Sequence, residues 1–349
     1  VAWLDKRETE RRLMTTLLVT GAAGFIGTNF VRYWSEHHSD DRLVAFDALT
    51  YAGVRENVDG IGRVEFVHGD IGDLALVEDV MRDRNVDVIV NFAAESHNSL
   101  AILDPARFFR TNVLGTQTLC EAAKRVGVAR LHHVSTCEVY GDLALDTDDA
   151  FTESSPYRPR TPYNASKAGG DHAVRAYHET WNLPVTITNC ANNYGPYQFP
   201  EKVIPYFTTQ ALQDKELPLY ASTENRREWI HAVDHCRAID MILERGRVGE
   251  TYHVGTGVEK SIMEIADLVL GHLGKPPSLK TIVPDRPGHD RRYVLDWMKI
   301  RTELGWTPSV PFDHGVAATI DWYADNRAWW EPLRDRAPVA EGSAWATAR

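Results

Sequence analysis

The sequence predicts an α/β fold: a doubly wound parallel sheet followed by a smaller C-terminal α/β region. Short apolar, β-branched runs alternate with helical stretches through the first half, the signature of a parallel sheet covered on both faces. A glycine-rich turn joins the first run to the first helix. After about residue 195 the alternation loosens, and Pro196, Pro200, Pro205 and Pro218 punctuate short elements. Met14–Thr20 reads as the first buried strand. The helix after the turn carries Phe30, Val31 and Trp34 on one side. Leu43–Phe46 is the second strand and ends at Asp47. Further strands are expected at Val64–Val67, Val86–Phe92, Leu131–Ser135 and Val185–Asn189. Helices are expected at Ile262–Leu273, Lys299–Leu304 and Gly315–Asn326.

Composition bounds the function. The 349 residues hold 38 basic and 49 acidic side chains, a formal charge of −11, which argues against nucleic acid as a partner. No apolar run reaches the roughly 18 residues of a membrane span, so no membrane partner is expected. The four cysteines (Cys120, Cys137, Cys190, Cys236) lie far apart without CxxC spacing, which points to no metal site and to a reducing, cytoplasmic location. Residues 1–13 are polar and charged, unlike a secretory signal, and read as an extension ahead of Met14. Residues 14–195 form the expected nucleotide-binding domain, with 229–257 returning to it. Residues 196–228 and 258–336 form a substrate domain, and 337–349 a mobile tail.

The strongest local signal is Gly21-Ala-Ala-Gly24-Phe-Ile-Gly27, between a strand and a helix. Glycines there allow a tight turn and close approach of a pyrophosphate to a helix N-terminus, a Rossmann-type site. Asp47 ends the next strand, 20 residues beyond Gly27, where a carboxylate accepts ribose hydroxyls and repels a 2′-phosphate. The expected cofactor is therefore NAD. Tyr163-Asn-Ala-Ser-Lys167 places a phenol and an ammonium on one helix face. Such pairs are common on helix surfaces, but after a dinucleotide fingerprint this one reads as a base for a substrate hydroxyl. Thr136 and Glu138 follow another strand end. Thr136 suits a hydrogen bond to the reacting hydroxyl, and Glu138 offers a second base that simple oxidoreduction does not need.

These motifs resemble the extended short-chain dehydrogenase/reductases acting on nucleotide sugars. The resemblance is shared by Gly69-Asp70-Ile71, Asn91-Phe-Ala-Ala-Glu-Ser-His97 and Thr111-Asn-Val-Leu-Gly-Thr116. With Asp47–Gly53, Asn192–Lys202 and Asp285–Tyr293, the chain from Met14 to about Arg334 is similar to the dTDP-glucose 4,6-dehydratase family. The resemblance implies NAD contacts from Gly21, Gly24, Phe25, Ile26, Gly27, Asp47, Leu49, Thr50, Asp70 and Ile71. It adds Ala93, Ala94, Ser96, Thr111, Ser135, Tyr163, Lys167 and Asn192. It implies substrate contacts from Ser96, Thr136, Asn193, Lys202, Val203, Pro218, Leu219, Tyr220, Arg227, His289, Arg292 and Tyr293. A homodimer is also implied, paired through the helices carrying Tyr163 and Thr116–Val126.

The chain departs from that family in four places: Cys137 where an aspartate acid is usual, Asn98–Ala101, Ala221–Thr223 and Val258. A thiol with a pKa near 8.5 is protonated at pH 7, so Cys137 is the expected acid for the departing C6 hydroxyl, with water as the alternative donor. The reaction expected is C4 oxidation, water loss across C5–C6 and hydride return to C6. Hydride return to C4, leaving a 5,6-alkene, is the second reading. A nucleotide-sugar 4-epimerase and a non-enzymatic NAD-binding regulator complete the alternatives.

Overall fold

The computed structural model describes residues 14–336. The expectations for 1–13 and 337–349 lie outside the described residues. Twelve strands are described: β1 Thr16–Thr20, β2 Arg42–Asp47, β3 Val64–His68, β4 Val88–Asn91, β5 Arg130–Thr136, β6 Val185–Cys190, β7 Asn192–Tyr194, β8 Leu217–Tyr220, β9 Arg226–His231, β10 Thr251–Val254, β11 Glu259–Ser261 and β12 Lys280–Val283. Seven of them form one parallel sheet in the order β10-β6-β5-β4-β1-β2-β3. Strand order reverses between β1 and β4, and this switch point opens the crevice where ligands bind in such sheets.

The β1 residues are all buried, which explains a run without polar alternation. One face of the sheet packs Leu18, Phe46, Ile89 and Leu131 against Val77, Met81, Leu119 and Val174 from the covering helices. The other packs Leu17, Val19 and Val90 against Phe30, Trp34 and Ile239. A smaller lobe surrounds β11-β9-β7 and β12-β8, with Phe207, Leu219, Ile265, Val269, Val316 and Ile320 in its core.

Most expected elements form, with shifted ends. The fourth strand starts at Val88 rather than Val86, because the Val86 amide closes the preceding helix on Met81 O at 2.9 Å. The C-terminal helices run Ile262–His272, Met298–Leu304 and Phe312–Asp325. Ser261 and Glu264 form a reciprocal capping box that starts the first of these. The seventh strand of the large sheet, β10, lies within the segment expected to return to the first domain.

Candidate active site

The first and third glycines of the turn have a steric reason. Gly21 has φ +67, and a Cβ there would meet Ala93 N at 2.6 Å, so the first glycine lets the chain cross the end of β4. A Cβ on Gly27 would run into the Gly21 carbonyl, so the third lets helix Phe25–His37 pack on the turn. Gly24 caps that helix with no side-chain hydrogen bond, leaving its N-terminal amides without a competing side-chain acceptor. Asp47 is buried at the tip of β2, where its carboxylate accepts from Ala23 N at 2.9 Å and Leu49 N at 2.7 Å. Burial raises its pKa, and those two amides oppose the rise.

These groups line one end of a cleft of about 440 Å³. Of the residues expected at the cofactor, Gly21, Gly24, Phe25, Ile26, Gly27, Asp47, Thr50, Asp70, Ile71, Ala93, Ala94, Ser96, Thr111, Ser135, Tyr163, Lys167 and Asn192 line it. Leu49 does not: at φ 49 its contribution is the backbone amide that fixes Asp47. The open helix N-terminus and the fixed carboxylate fit an adenine dinucleotide without a 2′-phosphate.

At the other end, β5 delivers Ser135 and Thr136, and a 3-10 turn over Cys137–Tyr140 follows. The Thr136 hydroxyl accepts Glu138 N at 3.2 Å and so starts that turn. Thr136 and Glu138 both line the cleft. Tyr163 and Lys167 lie one helical turn apart on helix Pro162–Trp181, which Thr161 caps and Pro162 begins. Lys167 Nζ donates to Val134 O at 2.8 Å. Burial lowers the Lys167 pKa, while Asp171, on the next turn, supports its charge. Burial pushes the Tyr163 phenol well above its ordinary value, and Glu138 adds to the rise. The phenol is therefore neutral in the protein alone.

Cys137 is 1% exposed and is not among the residues lining the cleft; it packs with Val139, Tyr140, Ala168, Tyr293 and Leu295. Burial, with Glu138 beside it, pushes its thiol well above the ordinary value. It stays close enough to Tyr163 and Tyr293, both of which line the cleft, to act electrostatically on their phenols.

On the substrate side, Asn193, Lys202, Val203, Pro218, Tyr220, Arg227, His289 and Tyr293 line the cleft with Ser96 and Thr136. Leu219 does not, because alternation along β8 points it into the lobe's core, where it is 0% exposed. Arg292 does not either: its guanidinium is forked onto Glu259 at 2.6 and 2.8 Å. Arg227 is held by the carbonyls of Arg226, Asp290 and Arg291 at 2.8, 2.8 and 3.3 Å, which leaves its charge to meet an anionic ligand. Burial and the Arg286 and Arg227 charges lower the His289 pKa to about 3, so His289 brings no positive charge near neutral pH. Sequence reading missed Tyr51, Glu95, His97, Asn98, Glu201 and Arg286, all of which line the cleft. Most of them fall inside the motifs already singled out, whose outward-facing members spacing does not reveal.

A dinucleotide cleft at the switch point, with a Tyr-x-x-x-Lys helix at its edge, defines an extended short-chain dehydrogenase/reductase. Residues 18–319 match the family model described as GDP-mannose 4,6 dehydratase. Over 337 residues the chain is 48% identical to a dTDP-glucose 4,6-dehydratase of Streptomyces niveus, covering 94% of this chain and 99% of that protein. Among solved structures, DesIV of Streptomyces venezuelae, a dTDP-glucose 4,6-dehydratase with NAD and dTDP bound, superposes with TM-score 0.88 at 50% identity, covering 91% of this chain and all of that one. The UDP-glucose 4-epimerase of Thermotoga maritima shares the architecture at TM-score 0.84 but only 26% identity, covering 90% of this chain and 100% of that one. The chain belongs to the dTDP-glucose 4,6-dehydratase family.

Proposed function

We propose that this chain is an NAD-dependent hydro-lyase that converts dTDP-glucose to its 4-keto-6-deoxy product. The observation that carries the reading is Glu138, a buried carboxylate lining the same cleft as Tyr163 and Lys167. An epimerase needs the phenol and the ammonium but has no task for that carboxylate. When bound, NAD supplies the hydride acceptor and donor, and its positive ring joins Lys167 in favouring a phenolate. Tyr163 takes the C4 hydroxyl proton, and Thr136 orients that hydroxyl. Glu138 removes the C5 proton, which the C4 ketone has made acidic. Because the Cys137 thiol is 1% exposed, the departing C6 hydroxyl takes its proton from water. Arg227 and Lys202 meet the diphosphate, a role supported by their cationic heads at the substrate end of the cleft.

The test is incubation with dTDP-glucose, followed by the 4-keto chromophore in alkali and by NMR of the product formed in deuterated water. A 4-keto sugar with a C6 methyl and solvent deuterium on the neighbouring ring carbon C5 is expected, and a 5,6-alkene or a C4 epimer would overturn the reading. The reading extends to a homodimer. Phe109 (41% exposed), Leu114 (61%) and Trp181 (50%) are apolar groups left at the surface on and beside the helices expected to pair. A monomeric mass by light scattering at micromolar concentration would contradict it. All four cysteines are free and buried, which supports a reducing location such as the cytoplasm.

A further inference from the structure

We propose that Asn98 is a positioning residue that holds the Glu138 carboxylate in place at the cleft, by tying it to the cap of the catalytic helix. The proposal rests on the reading of Glu138 as the C5 base. Asn98 begins the short helix Asn98–Leu103 and lines the cleft. Its Nδ2 donates to Glu138 Oε2 at 3.2 Å. Its Oδ1 accepts from Thr161 Oγ1 at 3.2 Å. The Thr161 oxygen in turn accepts Asn164 N at 3.2 Å, the cap that starts helix Pro162–Trp181.

This chain of bonds fixes the amide's orientation. A carboxylate only accepts, so the amide must present its NH₂ to Glu138, which leaves its oxygen to receive the Thr161 proton. One side chain thus connects the elimination base to the helix that carries Tyr163 and Lys167.

The bond has a geometric consequence. Glu138 Oε2 is anchored by the amide, so the carboxylate is held on the wall it shares with Tyr163 and Lys167. A base acts only when it is held within reach of the proton it removes.

The experiment measures exchange of the C5 proton with solvent deuterium against sugar concentration, using the NAD-loaded enzyme and dTDP-glucose. The proteins compared are unmutated, Asn98→Ala and Asn98→Asp. Asn98→Asp keeps the acceptor for Thr161 and replaces the donor with a like charge. In both variants exchange at saturating sugar should slow by about tenfold or more, with the KM for the sugar within about threefold of the unmutated value. Formation of the reduced cofactor, which depends on Tyr163, should stay within about threefold of the unmutated rate. Thermal scans confirm that both variants are folded. Folded variants whose C5 exchange at saturating sugar is not slowed, or is slowed together with cofactor reduction, overturn the proposal. If Glu138→Gln itself leaves exchange unslowed, the reading of Glu138 as base fails instead, so the two failures are distinguishable.

Discussion

Replacing Cys137 separates packing from proton donation. The thiol is 1% exposed among Val139, Tyr140, Ala168, Tyr293 and Leu295. Cys137→Ala removes one buried heavy atom, which costs on the order of 1 kcal/mol. In a chain of this size that lowers Tm by about 1–2 °C. Cys137→Asp puts a carboxyl into the same apolar layer, close enough to Glu138 and Glu228 for both to oppose its ionisation. It stays protonated and short of partners, at about 2–4 kcal/mol, or a Tm lowered by about 3–5 °C. The assay is rapid quench with dTDP-glucose, resolving reduced cofactor, C5 deuterium and loss of the C6 hydroxyl. With water as the donor, Cys137→Ala eliminates water within about threefold of the unmutated rate. A general acid contributes roughly 10²–10⁴-fold. A drop of that size confined to loss of the C6 hydroxyl in Cys137→Ala would refute the packing argument and make Cys137 the acid.

Three further outcomes are expected. Tyr163→Phe should block reduction of the cofactor by bound sugar, whereas Glu138→Gln should allow it and slow C5 deuterium exchange by about 10²-fold or more; single-turnover absorbance and NMR distinguish them, and the same defect in both variants would contradict the division of roles. Asp47→Ala should erode the preference for NAD over NADP, measured as the ratio of the two dissociation constants, because it removes the carboxylate that repels a 2′-phosphate; an unchanged ratio would move the discrimination elsewhere. Burial and neighbouring Glu138 raise the Asp290 pKa to about 6 from an ordinary value near 4, so the folded state holds a proton there that the unfolded chain releases first. Its contribution to stability is complete below about pH 4 and is lost as pH rises through about 6, so Asp290→Asn should flatten Tm against pH across that window, and a parallel curve would contradict the assignment.

The glycine turn, Asp47 and the Tyr163–Lys167 pair were legible because each depends on spacing within one strand, turn or helix. The large sheet was legible for the same reason, through apolar runs such as Thr16–Thr20. Three kinds of feature were not. Cys137 and Glu138 are neighbours in sequence, yet within one 3-10 turn Glu138 lines the cleft while Cys137 is 1% exposed in an apolar cluster, and nothing in their identities reveals the turn. Arg292 looks like a phosphate ligand until Glu259, 33 positions away, takes its guanidinium. β10 is only Thr251–Val254, too short to signal itself, and the polar His253 within it is buried because Tyr140 and Asp296 supply hydrogen-bond partners.

The route of the backbone bears on how the protein handles its cofactor. The chain leaves the large sheet after Cys190, returns after His231, leaves again after Val254, returns with helix Met298–Leu304 against β10, and leaves once more into helix Phe312–Asp325. Five connections therefore tie the two lobes across the floor of the cleft. Swinging one lobe away, as on a single-strand hinge, would have to displace all five together. Such a joint favours small breathing motions over wide opening. That suits a dehydratase whose hydride returns to the same sugar: the dinucleotide ends each turnover as it began, so the product has to escape and the dinucleotide does not.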